Sequence, residues 1–253
     1  MGDILKPGLW NMDCMEGMAG FGDGFFDLAI VDPPYGGGGA RDVDNFKPVL
    51  SGGGCDWASK PRGRFGGWFD RYHIGGADGR DVGGEIPPSI DGGADIRHWD
   101  FAPPREYFDE LARVSKAQII WGGNYFDLPP TRCFVVWDKQ QSEQFSMAMC
   151  EYAWTSFNQN AKLFRCAPQG TAAEKRIHPT QKPVKLYTWL LKMYAKPGMK
   201  ILDTHAGSAS SLVACHRAGL EAWGFEIDPV YYKLASERLA RECAQVGLAD
   251  FGM

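Results

Sequence analysis

Residues 200–228 read KILDTHAGSASSLVACHRAGLEAWGFEID, and this stretch decides the fold. Lys200-Ile201-Leu202-Asp203 is a short apolar run closed by a carboxylate, the pattern of a buried strand. A turn of small residues follows, then apolar positions at helical spacing over Ser208–Ala218 and a second apolar strand over Ala222–Ile227. Pro229–Ala244 reads as another helix. Strand, tight turn, helix and strand in that order form a βαβ unit, which requires a parallel sheet with helices on its faces.

The same alternation extends upstream. Phe26–Val31 is an apolar run stopped by Asp32-Pro33-Pro34, a strand ending in a proline-enforced turn. Residues 104–114, PREYFDELARV, open with proline and carry Tyr107, Phe108, Leu111 and Val114 on one helical face. Ala117–Trp121, Cys133–Trp137 and Tyr152–Phe157 read as strands, and Val184–Tyr194 as a helix. The expected architecture is a single α/β domain over residues 1–253, a Rossmann-like sandwich around a mostly parallel sheet. Residues 36–100 interrupt it. They hold 17 of the 32 glycines, too many for regular helix or strand, yet seven aromatic residues set them apart from a plain linker. They read as an insertion with anchors, a candidate lid.

Composition narrows the class. With 44% hydrophobic and 23% charged residues the chain is an ordinary globular one. It has no apolar run long enough for a membrane span and no basic-then-apolar leader at its start, so the cytoplasm is expected. Seven scattered cysteines without a C-x-x-C pair argue against a disulfide framework or zinc ribbon, and neither His178 nor His205 has metal-ligand spacing. No metal is expected. A net charge of −4 does not advertise a nucleic-acid partner, but placement matters more than the total.

Three motifs carry chemistry. In Asp32-Pro33-Pro34-Tyr35 a carboxylate and the carbonyls of two prolines, which lack N–H groups of their own, make an acceptor array for an amino group, with Tyr35 a flat face for stacking a base. A strand-ending turn with an exposed tyrosine is the plainer alternative. The turn Asp203, His205, Gly207, Ser208, Ala209, Ser210 at a strand-to-helix junction allows close backbone approach, and Glu226 and Asp228, at the end of the next strand, can accept ribose hydroxyls. Together they suit a nucleoside-containing cofactor. The third, His178-Pro179-Thr180-Gln181-Lys182-Pro183, opens a helix.

The order of these blocks is distinctive. The sequence resembles the amino-methylating DNA methyltransferases in which the D-P-P-Y block precedes the cofactor block, a circularly permuted motif order, and it looks like the small phage-type or orphan site-specific enzymes among them. Trp121-Gly122-Gly123-Asn124-Tyr125-Phe126, Val136-Trp137-Asp138-Lys139 and the HPTQKP stretch extend the likeness. The resemblance implies S-adenosyl-L-methionine as methyl donor and double-stranded DNA as partner, with adenine N6 as the methylated atom after the base is flipped out. Cytosine N4 is the nearest alternative, since enzymes of that kind more often carry serine in place of Asp32, and a non-catalytic DNA-binding subunit is a more distant one. It further implies that Asp32, Pro33, Pro34 and Tyr35 are catalytic. Asp203, His205, Gly207, Ser208, Ala209, Ser210, Glu226 and Asp228 would bind the cofactor, with Thr180 and Lys182 near its methionine carboxylate. One position departs from the pattern: Ala209 stands where a second glycine is usual, and alanine enters positive φ with difficulty.

DNA contact is assigned to local basic clusters. Lys60, Arg62, Arg64 and Arg71 interleave with Trp68 in the insertion, and Lys139, Lys175 and Arg176 lie in a target-recognition region over 139–180. A solvated loop is the alternative for residues 60–71. A chain this small that must embrace a duplex also leaves a place for a second copy, so a homodimer is among the expectations.

Overall fold

Apolar runs at 28–31, 118–121 and 200–203 assemble into one central sheet in the computed structural model, which describes residues 5–35, 101–142, 148–168 and 176–249. The insertion at 36–100, with Lys60, Arg62, Arg64, Trp68 and Arg71, and likewise Lys175, fall outside the described residues. The elements in chain order are β1 (Gly8–Asn11), α1 (Cys14–Ala19), β2 (Leu28–Val31), α2 (Arg105–Val114), β3 (Gln118–Trp121), β4 (Phe134–Asp138) and β5 (Cys150–Thr155). After them come β6 (Lys162–Arg165), α3 (Val184–Tyr194), β7 (Lys200–Asp203), α4 (Ser210–Arg217), β8 (Glu221–Glu226) and α5 (Pro229–Ala249). The eight strands lie in the order β1-β8-β7-β2-β3-β5-β4-β6. Five of the seven pairings are parallel, and the two antiparallel ones flank β5. The mostly parallel α/β sandwich expected from the sequence is therefore the observed one.

All four residues of β2 are buried, and their alternation divides the core in two. Leu28 and Ile30 join Ile119, Trp121 and Val135 beneath Leu186 and Leu190 of α3 and Val213 of α4. Ala29 and Val31 face the other way, toward Met18 of α1, Tyr107 and Leu111 of α2, and Phe225 of β8. Three elements escape the sequence reading: β1, α1 and β6. Helix α1 has six residues and depends on its cap, Asp13 Oδ1 accepting from the amides of Met15 at 2.8 Å and Glu16 at 3.3 Å. Strand β5 also begins two residues earlier than the sequence suggests, at Cys150, because β4 pairs with it from Asp138 opposite Cys150 onward.

The topology places the site. In register, Leu28 pairs with Ile201 and Ala29 with Leu202, so three residues beyond the second pair Asp32 and His205 leave the sheet side by side. The carboxyl ends of β3 and β4, the amino end of antiparallel β5 and the carboxyl end of β8 meet at that same edge. In open parallel sheets this edge, outside the carboxyl ends of the strands, is where ligands bind.

Candidate active site

Asp32 sits just past β2, its side chain 14% exposed, inside a ring of polar groups. The Tyr35 phenol donates to Asp32 Oδ1 at 2.7 Å, and the Lys182 ammonium pairs with Oδ2. Burial raises the Asp32 pKa and Lys182 draws it back, but Glu151 pushes it up again, and the net direction is upward. Tyr35 is held by its ring as well. Gly122, at φ +69°, lies so close beneath it that a Cβ there would stand 2.1 Å from Tyr35 Cε1. Tyr125 stacks on Tyr35 with ring centroids 5.0 Å apart. Beside this pair opens a cleft of about 260 Å³, whose lining includes Asn124, Tyr125, Lys139, Glu151 and Tyr152.

The second half of the site is the turn after β7. His205 N–H donates to Asp203 Oδ1 at 3.1 Å, Ser211 Oγ donates to Asp203 Oδ2, and Ala206 N–H reaches the Phe225 carbonyl at 2.9 Å. Gly207 (φ +50°) donates its N–H to Glu226 Oε2 at 2.8 Å, while Asp228 N–H reaches Oε1 at 2.9 Å. Arg238 of α5 fastens the turn from outside through the Ser208 carbonyl and Ser210 Oγ, each at 2.9 Å. Ala209 adopts the left-handed conformation (φ 57°) that its side chain disfavours, and its methyl group is wholly buried. The turn thus keeps a glycine-type backbone with an alanine in it.

His178 joins the two halves. Its ring lies against Gly207, 3.4 Å from where a Cβ would stand, and is met edge-on by Tyr231. Burial, helped by Arg176 and Lys182, lowers its pKa to about 3, so the ring is neutral, and Nδ1 accepts from the Thr180 amide at 3.3 Å. Thr180 thus reaches the turn only through His178. Lys182 does not share that place: its ammonium lies on Asp32 and Glu151. Lys139, expected to face phosphate, is 14% exposed and pairs with Glu151 Oε1 at 2.6 Å. Arg176 is exposed and donates to the Pro179 carbonyl at 2.8 Å. Sequence reading missed Glu151; a lone acid in the otherwise apolar and aromatic stretch Cys150–Trp154 was the available signal.

Glu226 tests the site for a nucleoside. The carboxylate is 8% exposed, and burial pushes its pKa up to about 7 even though two backbone amides oppose that. A buried acid with unfilled acceptor capacity beside a glycine backbone is a fitting partner for two ribose hydroxyls. Among the described residues no cluster of three or more histidine, cysteine or acidic side chains is arranged to hold a metal ion, and no helix is long and apolar enough to cross a membrane.

The chain is similar to several known proteins. YubD of Escherichia coli strain K12, described as a methylase, is 37% identical over 77 residues, which cover 30% of this chain; the chain spans only about a third (34%) of that relative's length. The solved PvuII DNA methyltransferase (cytosine-N4-specific) superposes with a TM-score of 0.51 at 11% identity over 95% of each chain, a likeness of fold. The M1.HpyAVI–SAM complex covers 91% of this chain and 98% of its own at 16% identity, with a TM-score of 0.49. The family model described as DNA methylase (N6/N4 type) matches residues 104–237, more than half of the sequence, from the start of α2 through the 203–209 turn and into α5. By that match the chain belongs to the N6/N4 DNA methylase family.

Proposed function

We propose that the protein transfers the methyl group of S-adenosyl-L-methionine to the exocyclic N6 of an adenine swung out of duplex DNA. The observation that carries this reading is the emergence of Asp32-Pro33-Pro34-Tyr35 and the 203–209 turn from the neighbouring parallel strands β2 and β7. When bound, the donor supplies an electrophilic methyl group on a sulfonium. Glu226 holds its ribose, and Gly207, Ser208 and Thr180 border its remaining length. Asp32 and the Pro33 carbonyl accept the two amino hydrogens of the base and so turn the nitrogen lone pair toward the methyl group. Flipping the base costs a few kcal/mol, which stacking on the Tyr35 and Tyr125 side of the cleft offsets in part. Orientation supplies much of the rate, and no covalent enzyme intermediate is required. Aspartate at position 32 is what favours adenine over cytosine. A cytoplasmic location and a homodimer on duplex DNA belong to the same reading; sedimentation with and without a duplex tests the latter.

The deciding experiment is nucleoside mass spectrometry on DNA from a methylation-deficient host expressing the chain. N6-methyladenine, absent with Asp32→Ala, is the expected result. N4-methylcytosine would keep the chemistry and change the base. Unmodified DNA from folded protein that binds the donor would overturn the proposal.

A further inference from the structure

Lys182 occupies a place that neither donor binding nor base stacking explains. Its side chain is 4% exposed, and its ammonium lies between two carboxylates, Asp32 and, at 3.1 Å, Glu151 Oε2. Glu151 Oε1 in turn takes Lys139 Nζ at 2.6 Å. The four groups form an alternating chain of charge that sums to zero, running from Asp32 to the rim of the cleft. The faces of the Trp121 and Tyr35 rings lie 5.4 and 5.8 Å from the same ammonium.

Asp32 accepts an amino hydrogen best as the carboxylate, because protonation turns one of its two oxygens into a donor that would face a donor. Buried acids take up protons unless a cation stands against them. Facing Asp32 are Tyr35 from its own segment, Glu151 of β5, Lys182 ahead of α3 and, farther off, Asp203 at the end of β7, Tyr107 of α2 and Tyr187 of α3. Lys182 is the cation in that set. Burial alone would strip its proton, yet Asp32 and Glu151 outweigh burial and raise its pKa.

We propose that Lys182 is a positioning residue, the counter-ion that keeps Asp32 ionised and aimed, and that Glu151, clamped by Lys139, holds Lys182 in that place. The inference rests on Asp32 being the amino acceptor of the proposed reaction. Without Lys182, two carboxylates confront one another and Asp32 protonates. Without Glu151, Lys182 belongs to Asp32 alone, and Asp32 becomes more acidic.

Two measurements on the full chain test this: single-turnover methylation of duplex DNA against pH, and titration of the Asp32 carboxyl by carbon NMR of free protein, assigned with Asp32→Asn. In Lys182→Met the acid limb and the carboxyl titration should both move up by at least one pH unit, with a tenfold or greater rate loss at pH 7 that recovers as pH rises. Lys182→Arg should keep the limb near its wild-type position. Lys182→Met/Glu151→Gln should bring it at least halfway back, which a loss of packing would not do. Glu151→Gln alone should move both downward, and it carries the test if Lys182→Met does not fold. Unmoved titrations, or a loss equal at every pH, would overturn the proposal. If wild-type protein methylates no DNA, the proposed function fails, while the carboxyl titration still decides the role of Lys182.

Discussion

Glu226 makes the stability of the fold depend on pH. Its pKa rises from an ordinary 4.5 to about 7 on folding, chiefly through burial. Between those values the unfolded chain has lost a proton that the folded chain keeps, so stability falls as pH rises through the window, by up to ~3 kcal/mol from this group. Urea midpoints should decline from pH 4.5 to 7 less steeply in Glu226→Gln than in wild type. In the proposed function the ionised carboxylate accepts both ribose hydroxyls, so binding of S-adenosylhomocysteine, followed by calorimetry, should tighten as pH rises through 7 and lose that trend in Glu226→Gln. Gly122 governs the other half of the site. A methyl group there would strike the Tyr35 ring at a backbone angle that already disfavours it. Gly122→Ala should therefore cut single-turnover methylation at least tenfold while leaving S-adenosylhomocysteine affinity within about twofold, because the added methyl group meets the Tyr35 ring first.

Among the elements, the turn between β7 and α4 shows opposing terms at one residue. A left-handed alanine costs about 1–2 kcal/mol. Replacing Ala209 by glycine would relieve that, but would also remove a methyl buried with Ala206, Leu212 and Ala235, worth about 0.8 kcal/mol, and would loosen the unfolded chain by a further ~0.4–1 kcal/mol. Ala209→Gly should thus change unfolding stability by less than about 1 kcal/mol in urea titration. The elements that bear the site were legible because their signals are local: apolar runs at 28–31 and 200–203, each ended by a carboxylate, and a proline or a small-residue turn after it. Strands β1 and β6 were not, since four residues such as GLWN or KLFR carry no periodicity and become strands through β8 and β4. The Lys182–Glu151 pair was illegible for a related reason. The two lie 31 positions apart on different elements, and only the closing of the sheet edge brings them together.

For the whole molecule, the site depends on core residues far from the reacting groups as well as on those beside them. Leu190 of α3 is fully buried on the face shared with β2 and β3. Leu190→Ala should lower unfolding stability by about 2–5 kcal/mol, and at a temperature where the variant stays folded its affinity for S-adenosylhomocysteine should match wild type. The strand order carries a further consequence, for synthesis. Strand β2 lies between β3 and β7, and β7 leaves the ribosome some 170 residues after β2. At roughly 5–20 residues per second, that is a wait of about 10 to 30 s during which a wholly apolar strand has one flank uncovered. A nascent chain in that interval invites capture by chaperones or by other unpaired strands, and a product truncated before Lys200 would carry the Asp32 block without the 203–209 turn beside it. Until β7 and β8 are made, the two halves of the site cannot meet.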